Sequence, residues 1–236
     1  MLAVARAGPE PARATLLLLG GNEWRPGAEA ADSWWLARAA HPRVTVLTSP
    51  AQDRPRDAVA WAGSYFQQLG ASVEGCFIQS LGDASDPGLL SQLGQAAAVY
   101  ICGGDPGAGC RVLAGSGAAR VLLQLLRSGV PLAGSSAGAM LLGAHCLVPG
   151  REFALTQGVG LLPRMVVLPH WNSAGGRWRR AAQELADRHQ LVGIDELTGL
   201  CWDGRRWRVL GPGKATLLTT AGAVAVGRAQ PDPPVE

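Results

Sequence analysis

The stretch Val130-Pro131-Leu132-Ala133-Gly134-Ser135-Ser136-Ala137-Gly138-Ala139 runs from an apolar segment through Gly-x-Ser-x-Gly into the helix-forming residues Met140-Leu141-Leu142. A strand, a sharp turn carrying a serine and a helix, in that order, describe a nucleophile elbow. Such a turn is strained, and the strand and helix backbones pass close to the serine, so small residues at Gly134 and Gly138 supply clearance. The turn lifts the Ser136 hydroxyl to the carboxyl end of a strand. It also leaves the Ala137 amide, at the start of the helix, facing the point where an oxyanion would form. Ser136 is therefore the candidate nucleophile. An isolated Gly-x-Ser-x-Gly also suits a plain tight turn between strand and helix, so the rest of the chain has to decide.

Outward from the elbow, short apolar strands alternate with helical stretches. Upstream lie strands at Thr15–Leu19, Val44–Leu47, Cys76–Ile78, Ala98–Ile101 and Pro131–Ala133. Helices are expected near Ala28–Ala39, Ala58–Leu69, Leu89–Gln95 and Ala118–Arg127. This alternation predicts an α/β fold, a mostly parallel sheet with helices on both faces joined by right-handed crossovers. Ligands of such sheets sit at the carboxyl ends of the strands. Two glycine pairs fall on that edge, Gly20-Gly21 and Gly103-Gly104. Either suits a tight strand exit, and Gly103-Gly104 also suits a second arm of an oxyanion hole. Neither has dinucleotide-binding spacing, and no phosphate-binding Gly-Lys-Ser/Thr loop is present.

Downstream, an apolar strand at Met165–Leu168 ends in Pro169-His170, which makes His170 the histidine best placed to serve Ser136. A helix is expected over Arg177–His189. Its arginines suit a solvated face better than a nucleic-acid surface, and one of them could bind a substrate carboxylate. The strand Leu191–Ile194 then runs into Asp195-Glu196. Adjacent residues point in opposite directions on a strand, so only one of these carboxylates can reach the histidine. The chain closes with a hairpin, Leu200–Trp202 and Trp207–Leu210 about Asp203-Gly204, that extends the sheet edge, and two more short strands.

Composition bounds the reading. The 236 residues are 47% apolar and 17% charged, with a net charge of +3, which suits one globular domain over 14–228 and gives no reason for a nucleic-acid partner. Residues 1–13 and 229–236, each rich in proline, read as a loose leader and tail. The five cysteines are scattered without a Cys-x-x-Cys pair, which fits buried thiols in a reducing compartment rather than disulfides or a metal site. The leucine run at 16–19 ends at once in glycine, too short for a signal peptide, and no stretch is long enough to span a membrane. A cytoplasmic protein without membrane, metal or cofactor is the expectation.

Taken together, Gly103-Gly104-Asp105, Gly134-Ser135-Ser136-Ala137-Gly138-Ala139, Gly158-Val159-Gly160-Leu161-Leu162-Pro163 ahead of His170, and Gly193-Ile194-Asp195-Glu196 resemble the serine peptidases typified by cyanophycinase and dipeptidase E, from about Thr15 to Val226. The closing hairpin resembles the cyanophycinase branch more. The resemblance implies a fold like that of class I glutamine amidotransferases, flavodoxin-like, with serine in place of the nucleophilic cysteine. It implies Ser136 as nucleophile, His170 as base, Glu196 as acid, and Gly104 and Ala137 as oxyanion amides. Asp105 and Arg177 become the candidate substrate-binding residues, and a short peptide, cut at an α- or β-aspartyl linkage, the expected substrate. A homodimer is common for this fold. Two departures lie where substrate would be read: Pro106 replaces the usual polar residue, and Asn172–Gly176 stand where an earlier arginine is expected. The rival reading is a non-catalytic binding or regulatory member of the same fold.

Overall fold

A computed structural model describes residues 14–183, 185–220 and 222–226. The expected leader 1–13 and tail 229–236 lie outside them. In chain order the elements are β1 (Leu16–Leu19), α1 (Glu29–Leu36), β2 (Arg43–Leu47), α2 (Pro55–Gln68), β3 (Ser72–Cys76), α3 (Pro87–Gly94), β4 (Val99–Ile101), α4 (Pro106–Leu113), α5 (Gly117–Arg127), β5 (Leu132–Ser135) and α6 (Ala137–Leu141). There follow β6 (His145–Val148), β7 (Ala154–Gln157), β8 (Met165–Leu168), α7 (Trp171–Gln183), β9 (Gln190–Ile194), β10 (Gly199–Trp202), β11 (Trp207–Leu210), β12 (Ala215–Thr219) and β13 (Gly222–Ala225).

Seven strands form the main sheet in the order β11-β10-β1-β5-β4-β2-β3. Neighbours from β1 to β3 are parallel, and the hairpin β10–β11 adds two antiparallel strands at the β1 edge, as its position in the sequence predicts. The four leucines of β1 are all fully buried because they face two different layers. Leu16 and Leu18 join the core that packs α4, α5 and α6, whereas Leu17 and Leu19 join Trp35 of α1 and Phe66 of α2 on the other face. A strand covered on both faces reads as an unbroken apolar run. Helix entries follow local chemistry. Asp86, Asp105 and Ser116 cap α3, α4 and α5 through their side-chain oxygens, and Pro55, Pro87 and Pro106 stand in the first turns of α2, α3 and α4. Among the described residues no helix is long and apolar enough to cross a membrane.

The structure departs from the sequence expectation in five places, the first being α4 (Pro106–Leu113), where no helix was expected. The strand expected at 76–78 lies at Ser72–Cys76, an edge strand bonded only to β2, so its polar residues Ser72 and Glu74 are tolerated. The helix expected at 177–189 begins six residues earlier. Trp171 packs against Gly193, where any Cβ would fall 2.3 Å from the indole, and the His170 carbonyl accepts from Ser173 and Ala174 at the helix start, ahead of the poor helix formers Gly175 and Gly176. Beyond α6 the chain makes an antiparallel pair, β6–β7. Finally, β8 and β9 do not join the main sheet. They pair in parallel with each other and form a separate four-stranded sheet, β13-β12-β9-β8. The two sheets meet along the edge where the candidate site residues lie.

Candidate active site

The β5–α6 turn has the geometry that its glycines require. Ser136 has φ 49° and ψ −116°, a sparsely populated conformation for a residue with a side chain. A Cβ on Gly134 would sit 2.5 Å from the carbonyl oxygen of Gly138, and one on Gly138 would sit 2.1 Å from that of Ile101. Neither contact leaves room for alanine. The Ser136 amide donates to the carbonyl of Leu19, which ties the turn to the end of β1.

His170 follows β8 and caps α7 with its carbonyl, which accepts from the amides of Ser173 and Ala174. Its φ of 52° turns the ring back toward the main sheet, and its amide donates to the carbonyl of Gly20 at 2.7 Å. The ring lies against Gly21, where a Cβ would fall 2.3 Å from Cε1. Here the glycine pair after β1 is a place where His170 and its loop pass, in addition to a tight strand exit. His170 Nε2 is 2.9 Å from Ser136 Oγ, and Nδ1 is 2.8 Å from Glu196 Oε1. An ionised carboxylate only accepts, so Nδ1 carries the proton and Nε2 is left to accept from the serine hydroxyl.

Glu196 leaves the end of β9 on the side facing His170, whereas Asp195 turns away and accepts from the amide of Lys214. Two residues that the sequence reading did not assign hold Glu196. The Asn172 side-chain oxygen accepts from its amide at 3.0 Å, and the Ser173 hydroxyl donates to Oε1 at 2.9 Å. The hydrogen bond from His170 holds the Glu196 carboxyl below its ordinary pKa. Partial burial opposes the shift and the Ser173 hydroxyl adds to it. The signal for these residues was the polar pair Asn172-Ser173, two and three residues after the histidine.

Gly104, with φ 138°, follows β4 at the same edge, where a Cβ would meet the carbonyl oxygen of Pro50 at 2.2 Å. Among the described residues the amides of Gly104 and Ala137 donate to no other group, so both remain available to a ligand. Asp105 lines the cleft, but its carboxylate accepts from the Gly107 amide at 2.8 Å and caps α4, with Arg111 4.0 Å away. Pro106 is explained by the same cap, since the first turn of a helix has no use for its missing N–H. Arg177 stands on α7, and its side chain lies outside the described structure. The cleft holds about 990 Å³ and is bounded by Glu23, Trp24, Gln52, Asp53, Trp61 and Tyr65 around Ser136 and His170. Glu23 is a further residue missed from sequence, its signal a single carboxylate just behind the first glycine pair.

In the turn of the β10–β11 hairpin Arg205 and Arg206 are exposed. Arg208 is buried and bonds Asp203 at 2.8 Å, and Arg206 lies 3.7 Å from the same carboxylate.

An α/β sheet with a strained serine turn, a histidine and a carboxylate at its carboxyl edge defines a hydrolase-like site. Residues 16–210 match the model of peptidase family S51, and the chain belongs to that family of peptidases. Among proteins of known activity, it is 26% identical over 225 residues to the cyanophycinase of Trichormus variabilis, covering 89% of this chain and 75% of that protein. It is 24% identical over 220 residues to the cyanophycinase of Geminocystis herdmanii, covering 87% and 80% respectively. The crystal structure of a peptidase from an acI-B1 actinobacterium superimposes with a TM-score of 0.78 at 26% identity, covering 92% of this chain and 95% of that one.

Proposed function

We propose that this member of the family is a serine-type peptidase that cleaves short peptides, with Ser136 as nucleophile, His170 as general base and Glu196 as its orienting acid. The observation that carries the reading is the unbroken line from Ser136 Oγ through the imidazole to Glu196, at 2.9 and 2.8 Å, on a turn strained to expose the serine. His170 Nε2 takes the hydroxyl proton as Oγ attacks the peptide carbonyl. The carbonyl π electrons move to oxygen, and the amides of Gly104 and Ala137 receive that oxyanion. Collapse of the intermediate expels the amine, which leaves with the proton from His170. Water, deprotonated by the same imidazole, then releases the acid from the acyl-serine. Glu196 stays ionised throughout and favours the transient imidazolium.

Aspartyl substrates, α- or β-linked, belong to this proposal through the cyanophycinase relatives, with Asp105 and Arg177 as the substrate-reading residues that the sequence resemblance implies. The buried, unpaired thiols of Cys76, Cys102, Cys110, Cys146 and Cys201 favour a reducing compartment such as the cytoplasm. The test is amino-acid release from a panel of short peptides, including α-aspartyl dipeptides and β-aspartyl-arginine, beside labelling of Ser136 by a phosphonate probe. Release and labelling that both vanish in Ser136→Ala support the reading. A folded wild-type protein that neither cleaves nor labels refutes it and leaves the non-catalytic rival.

A further inference from the structure

The loop between β1 and α1 takes no part in the chemistry above, yet it touches every segment that builds the site. The carbonyl of Gly20 accepts from the amide of His170 at 2.7 Å, and that of Gly21 accepts from the amide of Leu197, next to Glu196, at 3.0 Å. The remaining two segments are reached by the loop's single carboxylate. Glu23 Oε1 accepts from the amide of Gly103 at 2.8 Å, one residue before Gly104. Its Oε2 accepts from the hydroxyl of Ser135 at 2.7 Å, one residue before Ser136. Each oxygen thus holds the end of a different strand, β4 and β5.

The backbone on either side of Glu23 is strained to aim it. Asn22 and Trp24 have φ of 58° and 57°, left-handed conformations uncommon for residues with side chains. The Trp24 ring rests on Tyr100 of β4 with centroids 5.7 Å apart, which anchors the loop to the strand it serves. Ser135 is fully buried, so without Glu23 its hydroxyl would lose a partner that water cannot easily replace.

We propose that Glu23 is the positioning residue of the oxyanion hole. It fixes Gly103-Gly104 and Ser135-Ser136 to one carboxylate, so that the amides of Gly104 and Ala137 converge beside the Ser136 hydroxyl. This inference rests on the serine-peptidase reading. It also explains an electrostatic conflict: a negative charge beside a developing oxyanion opposes it, so the group is useful there for its two acceptor positions and not for its charge. A glutamine can keep both contacts, with its carbonyl oxygen accepting from Gly103 and its amide donating to the Ser135 oxygen.

The experiment compares Glu23→Ala, Glu23→Gln and Ser135→Ala with wild type, using steady-state hydrolysis of the best peptide in the panel and the rate of phosphonate labelling. Glu23→Ala is expected to lower kcat about 10²-fold, the scale of a lost oxyanion donor, with KM within about threefold and labelling slowed in step. Glu23→Gln should recover to within about tenfold of wild type. Ser135→Ala, which removes one arm only, should lose roughly tenfold in kcat, and it decides the matter if Glu23→Ala does not fold. Wild-type kcat in the variant read, Glu23→Ala or its stand-in, overturns the proposal. So does a Glu23→Gln enzyme as poor as Glu23→Ala, because charge, and with it a cationic substrate group, would then be what matters. A wild-type protein whose Ser136 does not react fails earlier and differently: it removes the peptidase reading itself and this inference with it.

Discussion

Gly21→Ala isolates the placement of His170, the proposed base. At φ 115° an alanine is strained by about 1–3 kcal/mol, a cost that lowers stability without abolishing the fold. Its Cβ would lie 2.3 Å from Cε1, 2.6 Å from Nε2 and 2.8 Å from Nδ1 of His170. Ordinary contact begins at 3.4 Å, so the ring has to retreat by about 1.1 Å. A hydrogen bond of 2.9 Å to Ser136 does not survive such a displacement at useful strength. A misplacement of about 1 Å costs on the order of 10²-fold, and complete loss of a general base costs 10²–10⁴-fold. The variant should therefore lose about 10²–10³-fold in kcat and label proportionally more slowly. It should melt cooperatively a few degrees below wild type. Gly20→Ala provides the contrast, because its Cβ would strike the backbone oxygen of Asp195 at 2.1 Å, and it should not reach the native fold. Turnover within threefold of wild type in a folded Gly21→Ala protein would refute the reasoning.

Gly138→Ala drives a methyl to 2.1 Å from the Ile101 carbonyl oxygen, backbone against backbone, and is expected to cost more than about 3 kcal/mol, read as loss of soluble, cooperatively melting protein. Ser173→Ala removes a hydrogen bond that keeps Glu196 ionised, so its carboxyl should titrate at higher pH by NMR while kcat falls tenfold or less. Because the folded pKa of Glu196 lies below its ordinary 4.5, the stabilisation is complete above that pH and is lost as the pH falls through the depressed value. The urea midpoints of wild type and Glu196→Gln should therefore differ at neutral pH and converge in acid. Asp32 behaves oppositely: burial raises its carboxyl from 3.8 to about 7, and it keeps one hydrogen bond from Tyr65 at 2.8 Å. The folded state then holds a proton that the unfolded state releases, so stability declines as the pH rises from 3.8 toward 7. Asp32→Asn should gain on wild type over that interval, by up to about 4 kcal/mol at its upper end, and equal stability shifts at pH 4 and 7 would contradict this.

The elbow was legible because close backbone passage leaves a residue pattern: Gly134 and Gly138 are spaced by the geometry itself. His170 could be located from the strand before it. The choice between Asp195 and Glu196 was narrower, since the two-residue period allows one of them and does not say which. The structure turns Asp195 toward Lys214 and Glu196 toward His170. What stayed hidden depends on partners distant in sequence. The pairing of β9 with β12, a strand that follows it in the chain, places β8 and β9 in a second sheet, and no local pattern announces it. Glu23 lies 80 residues before Gly103 and 112 before Ser135, and an isolated carboxylate in a loop carries no periodicity. The early start of α7 accompanies a tertiary contact, Trp171 on Gly193, that no local pattern shows, and it runs against glycine's reluctance to be helical.

The division into two sheets has a mechanical consequence. Ser136 and Gly104 leave strands of the larger sheet, while His170 and Glu196 leave strands of the smaller one. The hydrogen bond from Ser136 to His170 therefore bridges two sheets that share one core, and any proton passed along it crosses from one sheet to the other. A slip of the sheets too small to expose a core side chain is already large on the scale of a 2.9 Å contact. Labelling of Ser136 is thus expected to gauge how the sheets are seated, and to fall under mild denaturation before the secondary structure is lost.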